Sequence, residues 1–165
     1  TGILVIQALH ENYGGMSYTS ARLTTKNKGD WMQGKLEIRA SLPTGIGTWP
    51  AIWMLPTDWV YGGWPESGEI DIMEHVGYNP NWIHGTIHTD EYNHMDGTQL
   101  GGQVHIDNAS SNFHTYSIAW TDEYIKWYVD DVQFYSFYND NQDDFATWPF
   151  NQNFHLIINL SLIHI

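Results

Sequence analysis

The sequence predicts an all-β domain, a sandwich or jelly roll of about ten short strands. Apolar and polar residues alternate with a period of two in one segment after another. Clusters of Gly, Pro, Asn, Asp and Ser separate those segments at regular spacing. No stretch sustains a helical period.

The segments follow in chain order. LVIQA (4–8) and YTSARLTT (18–25) open the chain, and NKGD (27–30) turns it. In KLEIRA (35–40), Leu36, Ile38 and Ala40 alternate with Lys35, Glu37 and Arg39. LPTGIGT leads into WPAIWMLP (49–56), where Trp49 and Trp53 share one strand face with the small Ala51 between them. YGGWPESG is a loop that carries Trp64 to the rim of a sheet, where ligand contacts concentrate. IHGTIHT (83–89), FHTYSIAW (113–120), YIKWYVD (124–130) and FHLIINL (154–160) complete the set. At Val129-Asp130-Asp131-Val132 a two-residue hairpin would favour Asn-Gly or Asp-Gly. Asp131 therefore takes a left-handed conformation, or the turn is longer.

One segment departs from simple alternation. GEIDIMEHVG (68–77) places Glu69, Asp71 and Glu74 within six positions. On a helix the three would scatter around the axis. On a strand Glu69 and Asp71 share a face, with Ile70 and Ile72 on the other. Strict alternation would send Glu74 behind the sheet. One extra residue, a β-bulge, returns it to the acidic face, and such bulges are over-represented beside active sites. Like charges this close do not all ionise freely, so at least one pKa rises. An acid catalyst gains from that; stability does not. The plain alternative is a solvated acidic edge, which leaves the intervening apolar residues unexplained.

Composition narrows the partners. The 165 residues hold 6 Lys+Arg against 19 Asp+Glu, a net charge of −13, so nucleic acid and anionic membranes are not expected as partners. No apolar run approaches the ~20 residues that span a bilayer. The absence of cysteine excludes disulfides and thiolate metal sites. Nine Trp, ten Tyr and six Phe exceed what a core of this size needs, and flat aromatic faces lining a groove suit sugar rings. His84 and His88 have zinc-ligand spacing for a helix, but on a strand they lie ~13 Å apart, so no metal site is expected. His88 is expected instead to hydrogen-bond a carboxylate or a sugar hydroxyl. NDNQDD (139–144) lacks the Gly and the distal Glu of a calcium loop and reads as a solvated loop.

WPAIWMLP, GWPESGEIDIMEHVG, HGTIHT, FHTYSIAW, IKWYVDD and WPF together resemble glycoside hydrolase family 16 in its laminarinase branch, from about Leu4 to Asn159. The resemblance implies a jelly roll of two curved antiparallel sheets with an open concave cleft. It implies retaining endo-hydrolysis of β-1,3-glucosidic bonds, with Glu69 as nucleophile, Asp71 as assisting acid and Glu74 as general acid/base. Trp53 and Trp64 match cleft residues that stack on glucose; Trp49, Arg22 and His88 match further substrate-side positions. The extra residue between Asp71 and Glu74 is the pattern of the laminarinase, agarase and carrageenase branches. A polymer substrate implies an extracellular or periplasmic bacterial enzyme, and a monomer needing no cofactor. The family domain normally extends further at both ends, so residues 1–165 are expected to be one truncated catalytic domain. LSLIHI (160–165) resembles a translated adapter and is expected to be a non-native tail. The structural calcium of complete members uses terminal residues and is not expected here. Sibling specificities remain open: mixed-linkage glucan, agar or galactan hydrolysis, or transglycosylation. Sulfated substrates fit the acidic balance poorly. A non-catalytic β-glucan-binding protein on the same fold would lack the acids.

Overall fold

The computed structural model describes residues 2–163. In chain order the strands are β1 (Leu9–Tyr13), β2 (Met16–Thr19), β3 (Arg22–Thr24), β4 (Asp30–Trp31), β5 (Gly34–Ala40), β6 (Thr48–Pro56) and β7 (Glu69–Glu74). They continue with β8 (Trp82–His88), β9 (Leu100–His105), β10 (His114–Trp120), β11 (Tyr124–Val129), β12 (Val132–Tyr138) and β13 (Phe154–Leu162). No helix occurs among the described residues.

Two sheets form the sandwich. The larger runs β3-β13-β6-β7-β8-β9, with β4 also paired to β13. The smaller runs β12-β11-β10-β5. Their pairings are antiparallel, and the β1–β2 hairpin stands apart from both.

The period-two pattern explains the core. Ile52 and Met54 from β6, Ile70 from β7, and Ile83 and Ile87 from β8 are buried between the sheets. They meet Tyr116, Ile118 and Trp120 from β10 and Ile125, Trp127 and Val129 from β11. Removing each such side chain from water contributes about 1.5–3 kcal/mol. The alternate residues of β6, β7 and β8 face away from the core. That outward face carries the candidate site.

Two expectations change. LVIQA forms no strand: Leu4 and Val5 are 63% and 75% exposed, and no ladder pairs this segment among the described residues. An alternating pattern makes a strand only where a partner ladder meets it. YTSARLTT divides into β2 and β3, because Ser20 and Ala21 break the run. The hairpin at Asp130-Asp131 is two residues long, closing the Val129–Val132 pair, and both residues are left-handed, with φ of 49° and 65°. Of residues 160–165, Leu160, Ser161 and Leu162 extend β13 against Pro50, Trp49 and Thr48. His164 and Ile165 lie outside the described residues.

Candidate active site

The bulge read from GEIDIMEHVG is present. On one side of β7, Asp71 pairs with Trp53 and Met73 with Ile52, so Ile72 is the additional residue. On the other side Asp71 pairs with Thr86 and Glu74 with His84, and the register shifts between them. Both Ile72 and Met73 consequently point into the core, each 1% exposed. Two buried apolar side chains at the bulge offset the ladder irregularity it introduces. The result is that Glu69, Asp71 and Glu74 all emerge on the outward face.

Those three carboxyls line one side of a cleft of about 840 Å³. Trp49, Ala51 and Trp53 of β6, Asn159 and Ser161 of β13, Arg22 of β3 and the segment before it form the rest of the wall. His84 and His88 of β8 stand opposite Glu74 and Glu69 in the ladder. Their four-residue spacing thus places them opposite two different acids.

Each acid has an indole or imidazole neighbour. Trp64 Nε1–H donates to Glu69 Oε2 at 2.8 Å, and Trp49 Nε1–H donates to Glu74 Oε1 at 3.0 Å. His88 Nε2 lies 3.4 Å from Asp71 Oδ2, with both residues buried. The loop holding Trp64 is tied down by Ser67: its hydroxyl donates to the Gly62 carbonyl and accepts from the Tyr61 N–H. Gln152 Nε2 donates to the Ser67 carbonyl. Those ties set the indole where its N–H meets the carboxylate.

Burial dominates the electrostatics. Glu69 is pushed up to about 9, first by burial and then by the charge of Asp71; His88 and the Trp64 N–H oppose the rise. Asp71 is raised by burial and by Glu74, while its hydrogen bond with Glu69 works the other way. Glu74 is raised by burial, against the Trp49 N–H and His88. Desolvation is therefore the first cause at every acid, and like-charge repulsion adds to it at Glu69 and Asp71. Burial also lowers His84 and His88, while Glu69 and Glu74 oppose the shift at His88. Three close carboxyls in this setting hold fewer than three charges.

The residues singled out in the sequence mostly converge. Glu69, Asp71, Glu74, Trp49, Trp53 and Arg22 line the cleft, and Trp64 and His88 flank Glu69 at its end. Trp53 is not a bare platform. Its Nε1–H donates to Asn159 Oδ1 at 2.7 Å, and the Arg22 guanidinium lies 4.6 Å above its ring. Asn159 and His94 were missed. The signal for Asn159 was a polar residue at an outward position of an otherwise apolar strand. Nothing local marks His94, whose ring lies 4.7 Å from Trp64 and 5.2 Å from His88. Buried Asn93 fixes its loop, with Nδ2 donating to the Asp90 carbonyl and to Asp96 Oδ2.

Glu69, Asp71 and His88 bring one ligand atom each within 4.8 Å of one another. This cluster coincides with the acid trio, whose arrangement two-carboxylate chemistry already accounts for. In the 139–144 loop, Asn139, Asp140 and Asp144 accept from backbone N–H groups two residues on. Those side chains cap turns, as a solvated loop requires.

Comparison with known proteins identifies the family and the fold. The family model described as glycosyl hydrolases family 16 matches residues 5–162. The chain is 54% identical over 167 residues to a beta-glucanase of Rhodothermus marinus, covering 98% of this chain and 58% of that protein. It is 40% identical over 153 residues to a glucan endo-1,3-beta-glucosidase of Niallia circulans, covering 88% of this chain and 22% of that one. The X-ray structure of the laminarinase from Rhodothermus marinus superposes with a TM-score of 0.92 at 53% identity, over 94% of this chain and 64% of that one. The chain thus spans less than two thirds of the length of each of these relatives.

Proposed function

The chain belongs to glycosyl hydrolase family 16, and from that premise we propose that it is the catalytic part of a retaining endo-β-1,3-glucanase. The observation that supports this most is the bulged strand β7, which presents Glu69, Asp71 and Glu74 together in an open cleft walled by tryptophans. An open cleft accepts the middle of a chain, which favours endo action.

In this reading Glu74 protonates the glycosidic oxygen as it leaves, and Glu69 attacks the anomeric carbon from the opposite side. A covalent glycosyl-enzyme results. Glu74, now ionised, removes a proton from water, which displaces Glu69 and restores the original configuration. The Trp64 N–H steadies charge on Glu69. Glu69 and Asp71 share a proton: with it on Asp71, Glu69 carries the charge and is the nucleophile. The value near 9 at Glu69 then belongs to loss of the pair's last proton. Burial favours the protonated form of Glu74 that the first step needs. Two carboxyls suffice for this chemistry, so no cofactor is invoked.

The names of the relatives support a β-glucan substrate with β-1,3 bonds. A polymer of that kind is met outside the cytoplasm, and we place the enzyme there, acting as a monomer through a single catalytic domain. The test is azide rescue. Glu69→Ala abolishes turnover, and added azide restores it as a glycosyl azide of inverted anomeric configuration. An inverted azide from Glu74→Ala instead would exchange the two roles.

A further inference from the structure

We propose that Trp127 is a positioning residue for the reaction: from the opposite sheet, its indole N–H holds the bulge that aims Asp71 and Glu74. The inference rests on the reading of Glu69 and Glu74 as the reacting pair.

Trp127 belongs to β11 of the small sheet and is fully buried. Its Nε1–H donates to the backbone carbonyl of Asp71 at 2.8 Å. That carbonyl immediately precedes Ile72, the additional residue of the bulge. Ladder carbonyls lie in the plane of a sheet. A bond from the facing sheet favours a peptide tilted out of that plane, the local disruption that a bulge introduces. The hydrogen bond therefore joins the core to the first peptide of the bulge that separates Asp71 from Glu74.

The reach of Trp127 depends on a missing side chain. Gly85 lies on β8 between Thr86 and His84, the partners of Asp71 and Glu74. A Cβ at Gly85 would stand 2.5 Å from Trp127 Cδ1 and 2.9 Å from Nε1. The neighbouring strand repeats the device: a Cβ at Gly102 would stand 2.7 Å from Tyr135 Cβ, and the Tyr135 ring packs 5.2 Å from Trp127. The two glycines thus leave room for the Trp127–Tyr135 pair beneath the active strand. Acid and bulge come from β7, the glycine from the next strand β8, and the indole from β11, 56 residues from Asp71.

The core supplies its own control. Trp120 of β10 is as buried as Trp127, at 1% against 0%, yet its Nε1 has no acceptor among the described residues. Both Trp127→Phe and Trp120→Phe remove an indole from one core, and one of them releases the bulge. We expect Trp127→Phe to lower kcat on β-1,3-glucan by roughly 10–100-fold with KM little changed, as small misplacements of reacting groups do. Carbon-13 titration of the Glu and Asp carboxyls should show Asp71 and Glu74 displaced in Trp127→Phe and unmoved in Trp120→Phe. Equal losses of kcat in the two variants, or unmoved carboxyls in Trp127→Phe, would overturn the proposal. If Trp127→Phe does not fold, hydrogen exchange of the wild-type indoles decides. Slower exchange at Trp127 than at Trp120 supports the hydrogen bond, and equal or faster exchange overturns it. A wild-type chain inactive on β-glucan would defeat the functional reading, while the carboxyl titration would still judge the positioning.

Discussion

Replacing Glu69 by Gln should destroy activity and make the protein more stable, by an amount that depends on pH. Glu69 is raised from 4.5 to about 9. An acid whose folded pKa exceeds its unfolded value carries no penalty below the unfolded value. Folding then loses stability as pH rises through the interval, and the loss levels off above the folded value. Between pH 4.5 and 9 the cost grows by about 1.4 kcal/mol per pH unit. At pH 7 it reaches about 3 kcal/mol. The glutamine side chain mimics the protonated acid: its amide oxygen can accept from Trp64 Nε1–H and its NH₂ can donate to Asp71. The variant escapes the penalty without leaving a donor or an acceptor unpaired. The assay is urea unfolding followed by tryptophan fluorescence, for wild type and Glu69→Gln, at pH 5, 6 and 7. Groups remote from Glu69 cancel in the difference, and what remains is the titration of the Glu69–Asp71 pair. The two proteins should agree within about 1 kcal/mol at pH 5 and separate to about 3 kcal/mol at pH 7. In thermal melts that corresponds to a rise of about 6–12 °C. A gap that ignores pH, or a wild type more stable than the variant at pH 7, would refute the claim that burial holds a proton at this site.

Three further outcomes follow from the same geometry. Trp64→Phe removes the N–H that favours charge on Glu69, so the ascending limb of the kcat–pH profile should move to higher pH; an unmoved limb would leave the hydrogen bond without electrostatic effect. Trp49→Phe releases Glu74 from its donor, so the general-acid limb should move to higher pH also; movement to lower pH would contradict the sign. Asp131→Gly relieves a left-handed residue whose ion pair with Lys35 is long and exposed, at 3.8 Å, and should raise stability by about 0.5 kcal/mol without touching kcat. A lower melting temperature would show that the added freedom of the unfolded chain outweighs the relief.

Much of the site was legible because its information is local. Glu69, Asp71, Ile70 and Ile72 obey a period of two, and the misfit of Glu74 reports the bulge directly. The core strands were legible for the same reason: Ile125, Trp127 and Val129 alternate with polar neighbours and are all buried. What was not legible is long-range. The sequence offers no sign that LVIQA lacks a ladder partner, since alternation describes a strand's faces and not its neighbours. It does not show that Arg22 would cover Trp53, or that His94 would reach Trp64, because both contacts join segments far apart in the chain or held by a loop. Nor does it assign the buried tryptophans. Trp120 and Trp127 look alike in their strands, and only the facing sheet distinguishes them.

In the proposed function Glu69 and Glu74 carry out a retaining hydrolysis of β-1,3-glucan. The most direct test is the anomeric proton spectrum recorded during digestion of laminarin, with Glu69→Gln alongside. The β-anomer should appear first and mutarotate later, with no product from the variant. Early α-anomer, or turnover surviving in Glu69→Gln, would contradict it.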